Sequence, residues 1–239
     1  MAGVEARRSD LARRSAAEAL GAFALVFAGC GAIVTNAHTH GELGAVGVSL
    51  VFGLVILAAI AALGHVSGAH FNPSVTLSFF LTRHLPGRDA LAYLAGQLAG
   101  ATLAALLLWV IWPEQPADLG ATVPSIAAGR AVIVEAVMSA LLMLVILSVA
   151  TDTRAVGAPA ALAIGATIAL DALFGGPLTG ASMNPARSFA PALVSGQWRD
   201  FWVYLAGPLI GAPLGAFAYQ LVRGEHPGLP GAAAAPEEV

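Results

Sequence analysis

Apolar residues along this chain fall in long, nearly uninterrupted runs. Six of them, near residues 15–37, 44–64, 89–111, 130–150, 155–175 and 199–222, approach the roughly 20 apolar residues that an α-helix needs to cross about 30 Å of hydrocarbon. Two shorter apolar stretches, residues 73–81 and 185–194, follow the second and fifth runs. At 1.5 Å per residue each reaches about 15 Å, half of the hydrocarbon thickness. Two such pieces entering from opposite faces meet at the midplane. The pattern predicts an all-α membrane protein of six transmembrane helices plus two re-entrant half-helices. These form one domain over residues 15–222, with repeat one near 15–111 and repeat two near 130–222. Residues 1–14 read as an N-terminal arm, and 223–239, rich in Pro, Gly and Ala, as a disordered tail.

Composition agrees with this division. Of 239 residues, 58% are hydrophobic and 10% charged, with a mean hydropathy of +0.80; soluble domains carry about 25% charged residues. Net charge is −3 and there is no basic run, which argues against a nucleic-acid partner. The single cysteine, Cys30, lies inside the first run and reads as a small buried apolar residue. That run is too long for a signal-peptide core and lacks a clear cleavage site, so it reads as a retained helix.

All basic residues except histidine are arginines. Arg7, Arg8, Arg13, Arg14, Arg83, Arg88, Arg154 and Arg223 fall on one side of a six-span topology, and Arg130, Arg187 and Arg199 on the other. The positive-inside bias therefore predicts cytoplasmic termini in a cell membrane. Trp109, Trp112, Trp198 and Trp202 fall near the outer interface. Alanine- and arginine-rich composition without lysine points to a high-GC bacterium and its inner membrane.

The two halves resemble each other. Ser67-Gly68-Ala69-His70-Phe71-Asn72-Pro73-Ser74 aligns with Thr179-Gly180-Ala181-Ser182-Met183-Asn184-Pro185-Ala186. Tyr93-Leu94-Ala95-Gly96-Gln97 aligns with Tyr204-Leu205-Ala206-Gly207-Pro208, and a lone acid, Glu18 or Glu135, sits early in each half. Three spans per half is an odd number, so the second copy is inverted in the membrane. Inverted repeats place functional sites at the midplane, on the ends of discontinuous helices. Gly96 with Gly100, and Gly207 with Gly211 and Gly215, are spaced four apart and permit close helix approach.

The repeated Asn-Pro pair carries the chemistry. Asn is a favoured N-cap and Pro suits the first helical position. A helix N-terminus carries roughly half a positive charge. Two of them at the midplane repel cations, hydronium included. Both asparagine amides can donate to an oxygen in a lumen, which breaks a continuous proton wire.

These two segments resemble the signature loops of aquaporins and glycerol facilitators, and the resemblance runs from about Glu18 to about Arg223. It implies a homotetramer with one pore per subunit. The motifs here are Asn72-Pro73-Ser74 and Asn184-Pro185-Ala186, with Ser74 standing where Ala is usual. The resemblance further implies an outer filter of Phe52, Ala172, Ala181 and Arg187. Pore-lining positions or backbone carbonyls would come from Gly68, Ala69, His70, Gly180 and Ser182. Glu18 and Glu135 would hold the loops. Water-selective members have histidine where Ala172 stands, so two methyl walls beside Phe52 and Arg187 imply a wider, less polar neck. Gly176-Pro177-Leu178-Thr179-Gly180 is similar to glycerol facilitators and nodulin-26-like channels, whereas Ser188 and Ala192 follow the aquaporin pattern. The expectation is a passive channel for water and small neutral solutes such as glycerol or undissociated metalloid acids.

Other polar residues add less. Asp171 is one residue, about 100° of helix, from Ala172, so it faces away from the lumen. Its carboxylate is expected to find donors in a loop or neighbouring helix, or to orient the loop bearing Arg187. His65 reads as structural, and its five-residue separation from His70 suits no helical metal pair. His38, His40 and Glu42 read as a solvated outer loop. No metal and no cofactor are expected, and no acid completes a catalytic triad with Ser67, Ser74 and His70, so the chain does not read as an enzyme. A strictly water-selective channel, an ion-coupled transporter and a sealed junction protein are the competing readings. The first would exclude glycerol, the second would saturate and need an ion gradient, and the third leaves Arg187 unexplained.

Overall fold

The computed structural model describes residues 2–151 and 160–223, with side chains from residue 10 onward. Among the described residues eight α-helices follow in order: α1 (Ala2–His38), α2 (Gly44–Ser67), α3 (Pro73–Leu81), α4 (Gly87–Ile111), α5 (Ala128–Thr151), α6 (Ala160–Thr179), α7 (Pro185–Ser195) and α8 (Val203–Val222). Six of them are long and apolar enough to cross a membrane, and α3 and α7 are the two short ones.

Some ends differ from the sequence reading. α1 begins at Ala2, so the expected separate arm before residue 15 is the first part of the same helix. Ala, Arg, Glu and Leu dominate there and no proline intervenes. α6 is described from Ala160 to Thr179 rather than ending near 175; residues 155–159 of the expected span lie outside the described residues, as do 224–239 of the expected tail. α8 starts at Val203, after a turn in which the Val203 amide donates to the Asp200 carbonyl at 3.0 Å.

The packing repeats across the two halves. α1 lies along α4 and α5 along α8, while α2 and α6 meet between the halves. α3 is held by α4 and α8, and α7 by α4 and α1. Small residues decide how close the long helices come. A Cβ on Gly100 would strike the Ala19 carbonyl of α1, and one on Gly211 would strike the equivalent Ala136 carbonyl of α5. Gly53 and Gly165 likewise bring α2 and α6 backbone to backbone. In lipid no hydrophobic force drives helices together, so close van der Waals packing of this kind carries association.

Each full-length helix before a half-helix is ended by glycine. Gly68 adopts φ +87° and its amide donates to the Gly64 carbonyl at 2.9 Å. Gly180, also at φ +87°, repeats this on Gly176 at 2.9 Å. The chain then runs through Ala69 and Phe71, or Ala181 and Met183, all at positive φ, before the Asn-Pro pair restarts it as a helix.

Candidate functional site

The half-helices start as their sequences require. Asn72 is extended (φ −154°) and its side-chain oxygen accepts the Ser74 amide at 2.9 Å. Asn184 accepts the amides of Ala186 and Arg187 at 3.0 and 3.2 Å. The two ends are also tied across the centre. The Asn72 amide donates to the Met183 carbonyl at 2.8 Å, and the Asn184 amide to the Phe71 carbonyl at 2.9 Å. Each bond uses one of two N–H groups, which leaves one donor per asparagine for the cavity that both residues line. Ser74 is more than a tolerated replacement. Its hydroxyl reaches the Asn72 side-chain oxygen at 2.8 Å and the Met183 carbonyl at 3.2 Å.

The buried acids shape the loops. Glu18 accepts from the Ser67 hydroxyl (2.6 Å), the amides of His70 (3.0 Å) and Phe71 (2.6 Å), and the Gln97 side chain (2.8 Å). Glu135 accepts from the Thr179 hydroxyl (2.7 Å) and the amides of Ser182 (2.9 Å) and Met183 (2.8 Å). With the amides turned back toward the acids, the carbonyls turn away. Among the described residues, those of Gly68, Ala69 and His70 accept no hydrogen bond, and all three residues line the inner cavity. Ser182 lines it too, while Gly180 borders the outer cavity. Tyr93 and Tyr204 close the loops from behind, donating to the Ser67 and Thr179 carbonyls at 2.6 and 2.5 Å. The repeat pairs Tyr93 with Tyr204 and Ser67 with Thr179, but the bond between them is visible only in the fold.

An inner cavity of about 290 Å³ and an outer one of about 450 Å³ share four lining residues: Phe52, Ala172, Ala181 and Arg187. These four therefore form the neck between the two. Arg187 is buried, and its Nη1 donates to the Gly120 carbonyl at 2.8 Å. Its Cζ lies 5.1 Å from the centre of the Phe52 ring. Nε and Nη2 have no protein partner, so a permanently charged guanidinium keeps donors available at the neck. The side of the inner cavity away from the loops is aliphatic, with Ile56, Leu142, Ile146 and Ile164.

His70 lines the inner cavity, with Nδ1 at 3.1 Å from the Thr76 hydroxyl and its ring stacked on Phe79. His65 lies exposed at the end of α2. Cys30 is buried against Gly120. Asp171 departs from expectation. It is fully buried, lines neither cavity, and both of its oxygens lack a donor. Asp171 lies on the buried face of α6 with Thr167 and Gly175, where Gly175 packs on Met138 of α5. No hydrogen bond links it to the loop bearing Arg187.

Six spanning helices, two half-helices meeting at capped N-termini and a neck between two cavities define a multi-pass membrane channel. The chain belongs to the major intrinsic protein family, whose model matches residues 5–219. This is a family of channels and not of enzymes. The chain is 46% identical over 207 residues to aquaporin NIP1-1 of Oryza sativa subsp. japonica, covering 87% of this chain and 73% of that protein. It is 44% identical to nodulin-26 of Glycine max, covering 87% and 76%. Among solved structures it is similar to the aquaglyceroporin from Plasmodium falciparum, with TM-score 0.78, 27% identity and coverage of 89% and 97%. None of these relatives is bacterial, so they give the expected bacterial inner membrane no support.

Proposed function

We propose that this chain is a passive channel for water and small uncharged solutes, glycerol among them, that excludes protons and ions. The observation that carries the reading is the neck, where one charged donor and one aromatic ring face two methyl groups. Arg187 repels cations and offers N–H groups to a neutral oxygen. The methyls of Ala172 and Ala181 leave room for a carbon-bearing solute. Below the neck a passing hydroxyl meets free loop carbonyls and the two asparagine amides, while its carbon skeleton meets the aliphatic wall. Undissociated metalloid acids such as arsenous or boric acid have the same profile of small size, no charge and several hydroxyls. The relatives named as an aquaporin and an aquaglyceroporin agree with both halves of the reading.

In this proposal Asn72 and Asn184 hold the solute oxygen at the midplane, Phe52, Ala172, Ala181 and Arg187 select, and Glu18 and Glu135 fix the loops. The arginine distribution supports cytoplasmic termini. Stopped-flow light scattering on liposomes carrying the full chain should show water, glycerol and arsenous acid entering well above protein-free vesicles. Fast water flow without glycerol or arsenous acid entry would establish the strictly water-selective alternative instead.

A further inference from the structure

The two halves differ in how the hydroxyl behind each loop is held. In the first, the Thr76 hydroxyl sits 3.1 Å from His70 and is held by the Gln97 side chain at 2.9 Å. The equivalent pair in the second half is Ser188 and Ser182, whose hydroxyls are 2.5 Å apart. The place of Gln97 is taken there by Pro208, which has no side-chain donor. Instead the Thr122 hydroxyl, from the connection between the halves, lies 2.7 Å from that of Ser188.

Three hydroxyls thus run in one continuous chain, from Thr122 through Ser188 to Ser182. Ser182 also reaches the Asn184 carbonyl at 2.9 Å, which ties the chain to the start of α7. Thr122 is itself buried and borders the outer cavity. Two residues earlier, Gly120 offers its carbonyl to Arg187, and a Cβ on Gly180 would come within 3.0 Å of the Thr122 methyl. Residues 120–122 thus grip the adjacent Arg187 and Ser188 and lean on the loop that carries Ala181.

We propose that Thr122 is a positioning residue for solute selection, acting through Ser188 and Ser182 on the loop side of the neck. The inference rests on the channel reading above. Replacing Thr122 by Val keeps the shape and removes the hydroxyl at the end of the chain, loosening the wall formed by Ala181 and Arg187 toward the larger solute. Full-length wild type, Thr122→Val and Thr122→Ser are compared in liposomes for water and glycerol permeability. The expected result is a glycerol-to-water ratio raised about fivefold in Thr122→Val, the scale set by one hydrogen bond, and a wild-type ratio in Thr122→Ser. A purely structural role would lower both permeabilities together by reducing the number of intact channels. A ratio that falls or stays unchanged in Thr122→Val overturns the proposal, as does failure of Thr122→Ser to restore it. If Thr122→Val does not insert, Thr122→Ala reads the same ratio. Wild-type liposomes that pass neither solute would remove the channel reading; working wild type with an unmoved ratio removes only the role of Thr122.

Discussion

A carboxylate at membrane depth is tolerated according to the donors that reach it, and three buried acids here divide on that basis. Glu18 has four donors and Glu135 has three, while Asp171 has none. Glu135→Ala strands two buried amides and a hydroxyl, at about 1–3 kcal/mol each. A markedly lower unfolding temperature in detergent and loss of water flux in liposomes are the expected outcomes. Asp171→Asn keeps the shape and replaces a carboxyl group that no donor reaches. Unfolding temperature should hold or rise with selectivity unchanged; a lost glycerol signal would mean that Asp171 acts on the neck after all. The repeat pairs Glu18 with Glu135 and the family resemblance implies that both hold loops, but the lack of any donor at Asp171 was not legible in the sequence. All three are lone acids in apolar runs, and only the fold brings loop amides to two of them.

Among the elements, the half-helices were the easiest to read. Asn and Pro set their starts through local chemistry, and α3 begins and ends where the apolar stretch does. The long helices were read less well at their ends, because a terminus depends on what it meets. Arg14 lies within α1, held at 2.8 Å by Asp89 near the start of α4. The glycine spacing was legible as small-residue packing, but not which backbone each glycine meets. Since Gly211 lies against the Ala136 carbonyl, Gly211→Leu must push α8 off α5. That overpacking costs about 1–3 kcal/mol or more, and a lowered unfolding temperature checks it. Ile210→Leu, at an exposed neighbouring position, serves as the control and should behave as wild type.

For the whole molecule, the outer surface carries many exposed large apolar side chains, including Leu91, Leu103, Ile133, Leu214 and Leu221. A single 24.1 kDa chain encloses its own neck between its own two cavities, so one subunit suffices for one pore. The family resemblance makes a homotetramer the expected assembly. Light scattering of the detergent-solubilised protein should give about four times the chain mass after subtraction of detergent; a monomer that still conducts would assign assembly a role other than forming the pore.

The sequence by itself determined the six spans, the two half-helices, their inverted relation and their Asn-Pro starts, because run length, capping and repeat order are local properties of the chain. Arg187 could be nominated from its place directly after the second motif. Only the tertiary structure decided that Phe52, Ala172, Ala181 and Arg187 border both cavities, since those residues come from α2, α6, a loop and α7. It also decided that Ser74 ties two half-helices together, that Asp171 stands without a partner, and that Thr122 supplies what Pro208 cannot. Each of these depends on a hydrogen bond, or its absence, between segments far apart in the chain, and no spacing along one segment encodes that.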